Sequence, residues 1–305
     1  MPTAAANTPV QRLGILINPT SGRGTGAGEG GKALAAFAAA GVDVVDLSGA
    51  DWGEAKARAQ SAIDAGAVGG LVVVGGDGMM HLGVNLCVPS GLPLGLIAAG
   101  TGNDSARALG MPLGDAAAGA QAIIRRLAES RTVDVIEATT DRGLFYSFGS
   151  VSAGFDALVN ARANSMRFPK GPSRYQLALY LELAKFKPIQ YRARVDGVER
   201  RISAMLCTAT NTPAYGGGML IAPEADINDG KLDLFIVHEI SRLELIKVFP
   251  KVFTGEHVTH PAVEIIRVDS VELEAPGMPS AADGELVGHA PISARVLPGG
   301  LRVFA

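Results

Sequence analysis

The 305-residue chain has few cysteines, few aromatic residues and little net charge. Its two cysteines, Cys87 and Cys207, lie far apart in apolar stretches, which disfavours a disulfide framework or a cysteine metal site and predicts buried free thiols. A net charge of −3 gives no general attraction to nucleic acid. The sequence has no secretory-signal pattern and no apolar run of the ~18 residues that a membrane span needs. We therefore expect a cytoplasmic protein without nucleic-acid partners.

Short apolar runs alternate with helical patterns through the first part of the chain. The predicted strands are Leu13–Asn18, Val42–Leu47, Gly70–Val74 and Leu94–Ala98. The predicted helices are Lys32–Ala40, Trp52–Ala65, Met79–Leu86, Asp104–Leu109 and Asp115–Glu129. This order is typical of a parallel sheet with right-handed crossovers. Residues 1–131 are therefore predicted to form an α/β domain.

From Arg131 onward, β-branched and alternating segments replace this pattern. The predicted strands are Thr132–Thr139, Gln190–Val195, Ile202–Thr210, Lys231–Val237, Val263–Leu273 and Ile292–Phe304. Two predicted helices, Pro172–Lys185 and Arg242–Lys251, interrupt them. We expect residues 132–305 to form a mainly antiparallel β domain, with a ligand site in the crevice between the two domains.

The glycine-rich segment after the first strand allows several interpretations. Its backbone N–H groups could cradle phosphate from Asn18 to Gly26. A G-x-G-x-x-G pattern starts at Gly26, but a dinucleotide fingerprint begins directly at the strand end. A P-loop is also disfavoured, because Ala33 stands where a hydroxyl must bind Mg²⁺. Taken alone, Gly24–Gly31 is best explained as a flexible turn.

Two later strands run straight into glycine loops that carry polar groups. Leu71–Val74 leads into Gly75–Gly78, and Leu94–Ala98 leads into Gly100–Asp104. A plain turn could explain either loop alone. Because the carboxyl ends of parallel strands share one edge of a sheet, the two loops together predict a nucleotide phosphate site.

Seven short motifs extend this pattern: Asn18-Pro-Thr-Ser-Gly22, Gly75-Gly-Asp-Gly78, Gly100-Thr-Gly-Asn-Asp104, Tyr215-Gly-Gly-Gly-Met219, Ile221-Ala-Pro-Glu-Ala225, Asp229-Gly-Lys-Leu-Asp233 and Asp283-Gly-Glu285. In this order the sequence resembles the diacylglycerol kinase catalytic family, whose relatives include sphingosine and ceramide kinases and, more distantly, NAD kinases and phosphofructokinases. The resemblance implies a β-sandwich second domain and an ATP- and Mg²⁺-dependent kinase that phosphorylates a lipid hydroxyl, forming phosphatidic acid from diacylglycerol.

The resemblance also implies a set of nucleotide-binding residues in the first domain. These are Asn18, Pro19, Thr20, Ser21, Gly22, Ser48, Gly75, Gly76, Asp77, Gly78, Met79, Met80, His81, Thr101, Gly102 and Asn103. The family usually continues Gly-Gly-Asp-Gly with Thr and then Asn-Glu. Here Met79 takes the place of that hydroxyl, and two thioethers are expected in a polar neighbourhood.

Catalytic and metal-binding residues are implied by the same resemblance. Asp77 and Asp134 are expected to join the Mg²⁺ and water network, with Asp283 and Glu285 both candidates for the base. A structural Mg²⁺ is expected on the Asp229 carboxylate and the backbone carbonyls of Asp226 and Lys231, which is plausible oxygen-only coordination. On residue types alone, both acidic segments could equally be ordinary turns.

Several alternatives for function and partners stay open at this point. A soluble-metabolite kinase of the NAD kinase type would share the Gly75–Gly78 loop, and a nucleotide-binding regulator without catalysis would fit Met79 and His81. A lipid substrate requires transient contact with a membrane surface. Basic and apolar residues between Arg162 and Lys187 form either an amphipathic helix on the β domain or a membrane-facing lip. A homodimer is left open.

Overall fold

The computed structural model describes residues 12–166, 168, 177–178, 181–182 and 187–305. The chain divides into two compact units. The first contains the chain as far as Val133 together with Gly300–Ala305, and the second contains Asp134–Gly299. The predicted domains, 1–131 and 132–305, differ from this division because the last six residues return to the first unit.

The first unit has a parallel sheet in the order β4-β3-β1-β2. Its strands are β1 Arg12–Ile17, β2 Asp43–Asp46, β3 Gly70–Gly75 and β4 Leu94–Ala98. Its helices are α1 Ser21–Gly24, α2 Gly26–Ala39, α3 Trp52–Asp64, α4 Asp77–Ser90, α5 Asp104–Leu109 and α6 Ala116–Arg126. Strand β3 is buried along its whole length, as expected for a central strand covered on both faces. The predicted α/β architecture is confirmed.

Helix α2 corrects the prediction of a flexible turn over Gly24–Gly31. The helix begins at Gly26, six residues before the predicted start, because two of its glycines allow close packing against β1. A Cβ atom on Gly26 would lie 2.1 Å from the backbone oxygen of Asn18, and one on Gly30 would lie 2.6 Å from Cγ2 of Ile17. Gly26 and Gly30 are therefore explained by tertiary contact rather than by chain flexibility.

The second unit is built on antiparallel strands. They are β5 Arg131–Thr140, β6 Gly143–Ser147, β7 Ser150–Ala153, β8 Ile189–Val195, β9 Val198–Thr210, β10 Leu232–His238, β11 Val263–Val268, β12 Ser270–Glu274, β13 Pro279–Ala282, β14 Glu285–His289 and β15 Ile292–Val303. The pairing order runs β14-β13-β7-β9-β8-β12-β15, with β10 between β9 and β11 and with β5 beside β15 and β6. The predicted antiparallel β-sandwich is confirmed, although β6, β7, β13 and β14 were not predicted.

Helices of the second unit match the prediction only in part. Helix α7, Phe155–Ser165, was not predicted. Helix α8 spans Arg242–Val248 and continues into two 3₁₀ turns, Phe249–Phe253 and Glu256–Thr259. The predicted helix Pro172–Lys185, with the lip proposed around it, lies mostly outside the described residues. None of the helices in the described part of the chain is both long and apolar enough for a membrane span.

The two cysteines are buried, and the end of the chain pairs with the sheet of the first unit. Cys87 and Cys207 are buried thiols outside any disulfide, as predicted, and burial raises the pKa of the Cys87 thiol. Val303 pairs with Leu94 at the edge of β4, and the N–H of Phe304 donates to the Leu94 carbonyl at 3.0 Å. The end of β15 thereby extends the parallel sheet of the first unit.

Candidate active site

The two central glycine loops meet at the carboxyl ends of β3 and β4. The N–H of Ala99 donates to the Gly75 carbonyl at 2.8 Å. The backbones approach so closely that a Cβ atom on Gly100 would lie 2.4 Å from Cα of Gly76. Only glycine fits at this contact, so the strand ends hold the loops Gly75–Gly78 and Gly100–Asn103 side by side.

Side-chain hydrogen bonds fix the shape of these loops. Asn103 has a φ of 57°, and its amide closes on Gly100 by accepting from the N–H and donating to the carbonyl, both at 2.9 Å. Asp77 Oδ1 accepts from the N–H of Ser105 at 2.9 Å. Because α4 begins at Asp77, the N–H groups of Asp77 and Gly78 have no partner within the helix and lie where a phosphate is favoured.

The segment after β1 lies at the same edge of the sheet. The N–H of Asn18 donates to the Val74 carbonyl at 3.0 Å. The Asn18 side chain accepts from the N–H and the hydroxyl of Thr20, at 3.0 and 2.8 Å. Gly22 has a φ of 59° and lies against the backbone oxygen of Ala99. The structure thus brings Asn18–Gly22 to the loops after β3 and β4.

Ser48 lies at this edge too, where its hydroxyl accepts from the N–H of Ile17 at 2.8 Å. Thr101 is exposed, and Gly102 and Asn103 are partly exposed, so the third loop is accessible to a ligand. The predicted nucleotide residues around these loops therefore share one place in the fold. Their contacts with a nucleotide stay a prediction.

Met79 and Met80 correct the expectation of thioethers in a polar neighbourhood. Their side chains are 5% and 0% exposed, and Met79 packs over Gly75. Their N–H groups donate to the Gly76 carbonyl at 3.0 and 3.2 Å. Nucleotide contact by these two residues stays a prediction that their burial does not favour. His81 is partly exposed one position further along the helix.

Asp283 anchors a loop of the second unit through its carboxylate. Oδ1 accepts from the hydroxyl of Ser147 at 2.7 Å and from the N–H groups of Gly149 and Ser150 at 2.7 and 3.2 Å. Oδ2 accepts from the N–H of Phe148 at 3.1 Å. Asp283 itself has a φ of 49°, whereas Glu285 follows on β14 with an exposed side chain. The two candidate bases therefore have different surroundings.

Asp134 is a second carboxylate that holds backbone. It is buried, with Oδ1 accepting from the N–H of Gly299 and Oδ2 from the N–H of Gly230, both at 2.7 Å. The Asp134 N–H donates to the Ile227 carbonyl at 2.7 Å. Asp134 thus fixes the turn at residues 226–230, which contains the predicted metal residues Asp226 and Asp229, and a role in a water network stays a prediction.

The turn at residues 226–230 carries two carboxylates that differ in their partners. Asp229 Oδ1 accepts from the N–H of Lys231 at 2.9 Å, and Oδ2 accepts from Arg267, whose approach the sequence did not reveal. The Asp226 carboxylate accepts from Asn228 instead. Within the described residues, no group of three or more His, Cys, Asp or Glu side chains is arranged to hold a metal.

The donor set is nevertheless compatible with Mg²⁺. A carboxylate has about four acceptor positions, so the two hydrogen bonds to Asp229 leave room for a cation. Backbone carbonyls can supply further oxygen ligands. Burial raises the pKa of Asp233, with Arg267 opposing the rise and Asp229 adding to it.

An apolar pocket lies inside the second unit and was not predicted. Its cavity has a volume of about 80 Å³ and is lined by fifteen apolar side chains and two histidines. Tyr215, Met219 and Ile221, from two of the seven motifs, are among the lining residues. His257 is buried there with Nε2 3.2 Å from the Ile221 carbonyl. Burial lowers the pKa of His257, and that hydrogen bond opposes the shift.

Comparisons with known proteins agree with this arrangement. Residues 12–138 match the family model of the diacylglycerol kinase catalytic domain, and residues 149–305 match the model of the YegS C-terminal NAD kinase beta sandwich-like domain. A diacylglycerol kinase of Mycobacterium tuberculosis is 37% identical over 297 residues, covering 97% of this chain and 95% of the relative. A diacylglycerol kinase of Bacillus subtilis is 28% identical over 293 residues, covering 92% of both proteins.

A solved structure is similar in fold. The crystal structure of a diacylglycerol kinase from Bacillus anthracis has a TM-score of 0.73 with this chain, covers 97% of both chains and is 21% identical in sequence. This likeness supports the architecture, and the family is shown by the sequence matches. The chain therefore belongs to the diacylglycerol kinase family of lipid kinases, as the seven motifs predicted.

Proposed function

We propose that the chain transfers the γ-phosphoryl group of ATP, with Mg²⁺, to the hydroxyl of diacylglycerol or a similar lipid. The product from diacylglycerol is phosphatidic acid. The observation that carries the lipid assignment is the apolar pocket of the second unit, whose lining includes Tyr215, Met219 and Ile221. A lining of this kind suits acyl chains better than a polar metabolite. Such a substrate requires transient contact with a membrane surface.

The first unit supplies the groups that would hold the phosphates. Backbone N–H groups at the start of α4 and in the loop Gly100–Asn103 favour negative charge, and the glycine contact keeps them close together. Asp77 is anchored at one oxygen by Ser105, which leaves its other oxygen in position for the nucleotide's cation or its waters. This preorganisation is the main contribution that phosphoryl transfer demands from a protein.

The second unit supplies the proposed base. As the lipid oxygen attacks the γ-phosphorus and the bond to ADP breaks, the base accepts the hydroxyl proton. Asp283 and Glu285 are both candidates. Asp283 is held by the segment 147–150, whereas Glu285 is exposed to solvent.

Mg²⁺ fits the proposal in two places. Bound with the nucleotide, it would neutralise charge on the phosphates. The turn at residues 226–230 could hold a structural ion through the Asp229 carboxylate and the backbone carbonyls of Asp226 and Lys231. At that site the protein's residues would only bind and orient the ion, and Arg267 would share the Asp229 carboxylate with it.

Substitution of the two candidate bases tests the catalytic assignment. We expect Asp283→Asn and Glu285→Gln to reduce turnover by at least about 100-fold, because each removes a group that could take the proton. ATP binding, measured by calorimetry, should change little. Full activity of both variants would contradict the assignment. Asp269→Asn is a matched control, since this exposed acid forms an ion pair with Lys231 and is not one of the proposed catalytic residues.

A substrate panel separates the proposed kinase from its alternatives. ATP consumption would be measured with diacylglycerol, with a mixture of other lipid alcohols and with NAD. We expect turnover that depends on a lipid alcohol and on Mg²⁺. Phosphorylation of NAD would instead identify a soluble-metabolite kinase. ATP binding without turnover on any acceptor would identify a regulator.

A further inference from the structure

The outer surface of α8 and the two 3₁₀ turns exposes large apolar side chains. Leu243, Ile246, Phe253 and Val258 are 74%, 48%, 49% and 39% exposed. They are four of the eleven exposed large hydrophobic residues among those described, yet they lie within sixteen consecutive positions. We call these four residues the α8 patch. Such a concentration on a soluble unit indicates an interaction surface.

The inner side of the same elements is apolar as well. Leu245, Val248, Phe249 and Val252 line the pocket. Leu243 and Ile246, three positions apart on α8, share the opposite face. A helix that is apolar on both faces is normally covered on both. The sheet covers the inner face of α8, and the α8 patch therefore needs a partner of its own.

Charges around the α8 patch favour an anionic partner. Arg242, Lys247 and Lys251 are exposed on these elements. The opposing acids on the same elements are Glu244, which lies 3.3 Å from His260, and Glu256. Basic groups therefore exceed acidic ones locally, whereas the whole chain carries −3. Long basic side chains beside exposed apolar ones are typical of segments that lie in a membrane interface.

We infer that the α8 patch docks on the surface of a bilayer that contains anionic lipids. Its four apolar side chains enter the interface, and Arg242, Lys247 and Lys251 contact the head groups. This inference rests on the proposed lipid kinase function for its purpose, because docking there brings one wall of the apolar pocket next to the bilayer.

Vesicle co-sedimentation of the full chain without nucleotide tests the inference. We expect the wild-type protein to bind phosphatidylcholine vesicles containing phosphatidylglycerol. The double variant Leu243→Gln/Ile246→Gln should lose about tenfold or more in partitioning, because two apolar side chains leave the interface. The matched control is Leu144→Gln/Val198→Gln, which changes two equally exposed apolar residues of the same unit and should bind as wild type.

A charge variant gives a second and independent measurement. Lys247→Glu/Lys251→Glu should weaken binding to the anionic vesicles several-fold and remove most of its salt dependence. If the apolar variant has a lowered melting temperature, the charge variant still tests vesicle binding. Unchanged binding in both variants, or equal loss in the control, would overturn the inference. So would a wild-type dimer that the apolar variant converts to monomer in light scattering, since the patch would then be covered by a second copy.

Activity assays separate this inference from the proposed function. With short-chain diacylglycerol dispersed in solution, the apolar variant should keep wild-type turnover, whereas on long-chain substrate in vesicles it should lose turnover in proportion to binding. Loss of vesicle binding in a chain that phosphorylates no lipid would support the docking surface and refute the proposed function. If the variant and the wild type phosphorylate vesicle lipid equally, the docking surface is refuted and the proposed function is supported.

Discussion

Two carboxylates of the second unit bind backbone rather than solvent. Asp134 accepts from Gly230 and Gly299, and Asp283 accepts from the segment 147–150. Each hydrogen bond to a charged group is worth roughly 1.5–3 kcal/mol. Loss of turnover in an Asp283 variant therefore needs a parallel measurement of stability.

His257 makes the stability of the second unit depend on pH. Burial lowers its pKa in the folded protein below the ordinary value of 6.5, so the unfolded chain binds the proton first. The stability that the neutral ring provides is therefore complete above about pH 6.5. It is lost progressively as the pH falls from there toward the lowered pKa.

Urea unfolding at pH 7.5 and at pH 5.5 measures this effect. We expect His257→Phe to lose less stability between the two values than wild type, because its ring contacts Phe235 similarly but cannot take up a proton. Leu144→Gln is the control, since Leu144 is exposed and a change between two non-titrating side chains should leave the pH dependence intact. Equal losses in wild type and His257→Phe would contradict the prediction.

At the scale of elements, α2 predicts opposite effects for two glycines of one helix. Gly26→Ala should destabilise the first unit by about 1–3 kcal/mol, because the added Cβ meets the Asn18 carbonyl and the backbone must shift. Gly31→Ala adds its Cβ into open space and should stabilise by up to about 1 kcal/mol. Denaturant midpoints of the two variants check both signs, and a shift in the same direction for both would refute the packing argument.

The parallel strands and their loops could be predicted because the signal is local. A short apolar run followed by Gly75 or Gly100 indicates both a buried strand and a close approach of two backbones. The start of α2 could not be predicted, because its glycines are required by β1 and helix propensity alone disfavours them. The prediction failed where a contact with another element decided the conformation.

The pocket and the Arg267 contact were missed for a related reason. The residues that line the pocket lie between Phe155 and Val263 in the sequence. A cavity formed by several segments together leaves no periodic signal in any one of them. Arg267 reaches Asp229 across 38 positions. Helix α7 was missed because small and polar residues follow Val159 and weaken the helical pattern.

On the scale of the whole molecule, the last residues of the chain stabilise the first unit. Phe304 is buried, with its ring against Gly70, and Arg131 donates to the Ala305 carbonyl at 3.1 Å. Phe304→Ala should cost about 3–5 kcal/mol of unfolding free energy. The chain has a single tryptophan, Trp52, which lies in the first unit and reports its unfolding by fluorescence.

The matched control for this measurement is Phe253→Ala, which removes a half-exposed ring from the second unit. It should leave the Trp52 transition unchanged. A normal transition for Phe304→Ala would mean that β15 contributes little to the first unit. An early transition in both variants would mean that the two units unfold together.

The return of β15 also sets an order of events during synthesis. A ribosome makes β1 to β4 first, but the strand residue that pairs with Leu94 is residue 303. The second unit is complete in sequence once Gly299 has emerged, before the first unit has its last strand segment. The parallel sheet of the first unit is therefore completed after the second unit has been made, and we expect a nascent chain to acquire the proposed nucleotide affinity only once residue 303 has emerged.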